Sequence, residues 1–199
     1  MSKPYIPYLN FGQSAVCLIC EVIIFNLYAK LLYISIFKPK LLVIGQISKS
    51  MRFYFVISIF YSLSSCVNHF YAVFWWRPGV EDSYNPAILF CVGVTSVSFA
   101  VLPPIAVFFM TVDRCFALNF PNNSRLNSYA FQLGIFIVIL AFFINLTFIV
   151  SELPLRFHKL TKCVSFGCLM TKYNLNSHLV TKMLFSTLNL IFGVISSTS

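Results

Sequence analysis

Five stretches of this chain run for about twenty residues or more with hardly a charge, at positions 14–37, 53–75, 87–111, 129–150 and 180–198. A helix needs about 20 mostly apolar residues to cross the roughly 30 Å of bilayer hydrocarbon, and each stretch supplies them. Barrel strands would alternate apolar and polar residues over about ten positions, whereas these runs are continuously apolar for far longer. The composition leaves no other solvent for them: 59% of residues are hydrophobic, mean hydropathy is +0.85, and only 10% are charged. Soluble domains carry about 25% charge, so soluble enzymes, nucleic-acid-binding domains and disordered linkers are excluded together. The expectation is an all-α, polytopic membrane helix bundle forming one domain of about five transmembrane helices. Its 23 Phe agree with this, since Phe is favoured at the centre of a lipid-embedded helix.

The charges sit mostly between the runs. Fourteen basic residues against five acidic give +9, but they are dispersed rather than gathered on one polar face, so the partner is membrane lipid and not nucleic acid. The first connection holds Lys38, Lys40, Lys49 and Arg52 without an acid, while the second sets Arg77 against Glu81 and Asp82. The positive-inside rule makes the first connection cytoplasmic, with the N-terminus outside. The third connection, with Arg114 and Arg125, is then inside, and the fourth is outside although it carries Arg156, Lys159, Lys162 and Lys172. The first apolar run is too long for a signal peptide, contains Glu21 and Lys30, and ends in Lys38-Pro39-Lys40 rather than a small-residue cleavage site. Cys17 and Cys20 form a CxxC inside that run, with no second pair or His nearby, so no metal site is expected.

At the inner end of the third run the chain reads Met110-Thr111-Val112-Asp113-Arg114-Cys115-Phe116-Ala117-Leu118-Asn119-Phe120-Pro121. This resembles the end of the third helix in seven-helix G-protein-coupled receptors. There an acidic-Arg-aromatic triplet is followed by Ala, an aliphatic and Pro, which Ala117, Leu118 and Pro121 match in register; Cys115 departs from the aromatic. The Asp in the second span and the Trp in the fourth, found in the large rhodopsin-like group, are missing. The Phe-rich and Ile-rich spans are instead similar to nematode serpentine chemoreceptors, of the class called BC. The resemblance implies a plasma-membrane receptor that binds a small external cue, a small molecule or peptide, between its helices and activates a heterotrimeric G protein, without a cofactor. It implies that Asp113, Arg114 and Pro121 carry coupling and switching, and that Cys91 at the outer end of the same span is bridged to Cys168 or Cys163. Five runs against the family's seven helices imply the N-terminal portion of such a receptor. The plainer readings are that Asp113 and Arg114 are simply the first charges beyond a span, and that the thiols are free.

Ionisable and amide groups at bilayer depth are costly and mark candidate ligand contacts. Glu21 in the first run, and Asn68 and His69 towards the outer end of the second, are such candidates; Asn26 is expected to face the bundle and Lys30 to snorkel inward. Pro103-Pro104 should kink or break the third helix. Asn122-Asn123-Ser124 fits a glycosylation sequon but would face the cytoplasm. Trp75 and Trp76 read as interfacial anchors. His69, His158 and His178 are isolated and no second acid lies near Glu21 or Asp113, so an enzyme is not expected. The alternative function is a small transporter-like or non-signalling multi-pass membrane protein.

Overall fold

The computed structural model describes residues 6–37, 47–75, 85–119 and 124–152, together with 183, 184, 186, 187, 189 and 190. All the elements formed by these residues are helical: α1 (Ile6–Phe37), α2 (Lys49–Phe74), α3 (Pro86–Ala100), α4 (Leu102–Asn119) and α5 (Ser124–Glu152). The all-α expectation holds. Among the described residues four spans are long and apolar enough to cross a membrane, namely Tyr8–Phe37, Lys49–Phe74, Ala87–Cys115 and Phe131–Ser151, with α3 and α4 sharing the third. Of the fifth run, only the helical residues at 183–190 are described, and the rest lies outside the described residues.

Helices extend past the apolar runs because main-chain hydrogen bonding continues into the polar interface, where hydropathy gives no signal. The 32 residues of α1 cover about 48 Å at 1.5 Å per residue, well beyond the hydrocarbon thickness. At α2 the start is fixed locally, since the extended Ser48 accepts a hydrogen bond from Met51 N–H at 3.2 Å through its side chain. The prolines divide the third span as expected. Pro103 and Pro104 lack the N–H groups that α3 would need to continue, but they fit the first turn of α4, where donors have no intrahelical acceptor. The break falls at Val101, whose N–H turns back to Phe99 O. Asn189 Nδ2 donates to Pro104 O at 2.8 Å, so Asn189 meets the bundle near this break.

The four described spans alternate in direction. Glu21 lies beside Ser65 and Tyr28 beside Tyr54, which makes α1 and α2 antiparallel. Tyr71, buried near the end of α2, receives the Asn85 N–H at 2.9 Å and ties that end to the start of α3. The apolar core lies where α2, α4 and α5 meet: Ile57, Val101, Leu102, Ile105, Ala106 and Val138 are buried there, flanked by Phe53, Phe99, Phe109 and Phe142. Gly134 allows α5 to approach α4, since a Cβ at that position would sit 3.0 Å from Phe109 Cγ and 3.2 Å from Phe109 Cβ. Helix α1 stays outside this core, with Val16 61% and Ile19 62% exposed to the surroundings that lipid fills.

Candidate functional site

The polar groups within the spans concentrate along the contact between α1 and α2. Ser65 Oγ donates to Glu21 Oε1 at 3.2 Å, while Glu21 Oε2 is buried without a hydrogen-bond partner among the described residues. Seven residues further along α1, Tyr28 Oη meets Tyr54 Oη at 3.1 Å, with Ser58 beside it and the two rings edge to face at 5.8 Å. Another seven residues bring the buried Ser35, level by the same register with the buried Ser50 and with Met51. Positions 21, 28 and 35 of α1 therefore face 65, 58 and 51 of α2, and Ser62, fully buried, lies between the first two contacts. A seven-residue spacing keeps side chains along one helix face, and small hydroxyl residues let two backbones approach closely in lipid. Two side-chain hydrogen bonds, Ser65 to Glu21 and the Tyr28–Tyr54 pair, cross this seam, while the Ser35, Ser58 and Ser62 hydroxyls are buried without a hydrogen-bond partner among the described residues and serve as small residues at the close approach.

The sequence candidates divide between the seam and its surroundings. Glu21 is on the seam, and Tyr61, Cys66 and His69 share its electrostatic neighbourhood. Asn68 and His69 are half-buried on α2 just beyond Ser65, so the structure brings the three pocket candidates to one region at the Glu21 end of the seam. Asn26 is a correction. It is exposed, away from the bundle, and its Nδ2 donates to Val22 O of its own helix at 2.7 Å, which satisfies the amide without a neighbour. Lys30 is exposed, as a snorkelling side chain requires. The buried serines were missed because single hydroxyls in apolar runs look inert; the seven-residue spacing on both helices is the signal that could have found them.

Cys91 lies on a different surface. With Phe60, Leu63, Val67, Val92 and Phe99 it lines an apolar groove of about 360 Å3 between α2 and α3, on the face of α2 opposite the seam. Its thiol is exposed and has no disulfide partner among the described residues; Cys163 and Cys168 lie outside them. The hydroxyls in the groove are turned inward, with Thr95 Oγ1 donating to Cys91 O at 2.7 Å and Ser64 Oγ to Tyr61 O at 2.8 Å.

At the other end of the bundle, Asp113 and Arg114 occupy the last turns of α4, Asp113 half-buried and Arg114 exposed. Consecutive helix residues point about 100° apart, so these two do not face each other. Pro121 lies outside the described residues. Lys49 and Arg52, in the first turn of α2, stand at the same end. Among the described residues no group of His, Cys, Asp and Glu could hold a metal ion. No protein-family model, curated protein or solved structure matches this chain.

Proposed function

We propose that this chain is a G-protein-coupled chemosensory receptor at the plasma membrane. The observation that carries the reading is the Asp113-Arg114 pair in the last turns of a long membrane-spanning helix, with Ala117, Leu118 and Pro121 following in register. An exposed guanidinium at the end of a span can insert into a partner protein, while its half-buried acidic neighbour can be paired or freed as helices shift. The cue enters from the outer end of the bundle, where Glu21, Asn68 and His69 lie together, and the heterotrimeric G protein engages the opposite end. A break at Val101, between these two ends, divides the span that carries Arg114 into two helices that can shift relative to each other.

The test is guanine-nucleotide exchange on a purified heterotrimeric G protein, with the chain reconstituted in nanodiscs. Exchange faster than with empty nanodiscs, and lost in Arg114→Ala, supports coupling. No acceleration, or acceleration untouched by Arg114→Ala, rejects it.

A further inference from the structure

The end of the bundle where α2 and α5 begin and α4 ends collects positive charge from α2 and α4. Two contacts fix the level: Phe53 meets Phe131 with ring centroids 6.0 Å apart, and Phe109 packs on Gly134. Lys49 and Arg52 lie within about one turn beyond Phe53 on α2, and Arg114 lies five residues, or about 7.5 Å, beyond Phe109 on α4. Arg125 is the second residue of α5 on the same end. Asp113 is the one carboxylate among the described residues of this end. Helix dipoles do not decide the field, because α2 and α5 start here while α1 and α4 finish here. The side chains decide it, and the net sign is positive.

Arg52 distinguishes this end from a scatter of interfacial cations. Its side chain is partly buried, and its Nε is buried without a hydrogen-bond partner among the described residues. A buried guanidinium N–H without an acceptor is costly, and a phosphate oxygen answers it with the fork geometry that guanidinium matches. Lys49 is exposed three residues away, on the same side of α2, and can take a second charge on the same ligand.

We propose that this end of the bundle binds the phosphomonoester headgroup of an anionic lipid, with the partly buried Arg52 as the anchor and Lys49 and Arg114 at the rim. A bilayer lipid fits better than a soluble phosphate, because the anchor sits where a span enters the interface, at headgroup level. Arg114 is shared with the coupling reading, but the anchor Arg52 and its neighbour Lys49 have no part in it, so the site does not depend on G-protein coupling.

The full chain in phosphatidylcholine nanodiscs is titrated with fluorescent phosphatidylinositol 4,5-bisphosphate, with fluorescent phosphatidylserine, and with soluble inositol trisphosphate. Saturable binding is expected, tightest for the phosphoinositide. K49Q/R52Q should weaken it about 25-fold, some fivefold per cation removed at the surface. The charge-matched K3Q/R77Q, altered in sequence before the start of α1 and after the end of α2, should change it less than twofold. Arg52→Lys keeps the charge but loses the fork; it should weaken phosphoinositide binding severalfold and leave phosphatidylserine unaffected, a readout available even if the double variant does not fold. Non-saturable binding, equal losses in both double variants, or equally tight binding of the soluble headgroup would each overturn the proposal.

Discussion

Substitution at Gly134 isolates the contact that closes α5 onto α4. A methyl group there would lie 3.0 Å from Phe109 Cγ, 3.2 Å from Cβ and 3.2 Å from Cδ1. These atoms are at the root of the ring rather than its tip, so rotation of Phe109 cannot relieve the contact and a helix has to move by a few tenths of an ångström. Overpacking of this kind costs about 1–3 kcal/mol, while replacing Gly by Ala in a helix returns about 1 kcal/mol. Gly134→Ala should therefore lower stability by up to about 2 kcal/mol. With Phe109→Ala already in place the Cγ and Cδ1 contacts are gone and only the Cβ contact at 3.2 Å remains, so the same change should destabilise by about 1 kcal/mol less than in the parent. That difference between the two backgrounds is the signature. The assay is a double-mutant cycle on unfolding in mixed micelles, where the coupling between the positions should lie above about 0.5 kcal/mol and reach up to about 3 kcal/mol. If Gly134→Ala has the same effect in both backgrounds, within about 0.5 kcal/mol, the close approach of α4 and α5 is wrong.

Two further predictions concern the seam and the break. Ser65→Ala removes the donor to Glu21 Oε1 and should weaken the packing of α1 by about 0.6–2 kcal/mol, whereas Glu21→Gln keeps an acceptor for Ser65 and should be at least as stable as the parent. Protease sensitivity of α1 in nanodiscs reads both, and a tougher Ser65→Ala would count against the seam. Replacing Pro103 and Pro104 together by Ala restores two helix donors and should join α3 to α4. Spin labels near the two ends of that span should then show a longer and narrower distance distribution; an unchanged one would show that packing around Val101, and not the prolines, makes the break.

The four described spans and the proline break were legible because each is written in neighbouring residues: runs of apolar side chains, and two consecutive prolines. Helix ends were not, since Ile6 to Gln13 of α1 and Ser124 to Ser128 of α5 continue helical hydrogen bonding where hydropathy has already fallen. Which face of α1 turns inward was equally hidden. A helix that is apolar all round carries no amphipathic stripe, so Asn26 could be expected to face the bundle although it points away. Glu21 stood out by its charge, but its partner Ser65 is 44 residues distant and only the fold pairs them. The approach of Gly134 to Phe109 is likewise a tertiary contact between helices, and neither residue announces it.

The receptor reading requires the Asp113-Arg114 end to face the cytoplasm. Glycosylation mapping measures this directly, with an acceptor sequon introduced between positions 151 and 179 and the native Asn122 sequon scored in the same chain. Modification of the introduced site alone is the expected result, because it puts the connection after α4 inside the cell and the one after α5 outside. Modification of Asn122 would turn Arg114 outward, beyond reach of any G protein, and would leave a transporter-like or non-signalling membrane protein in its place.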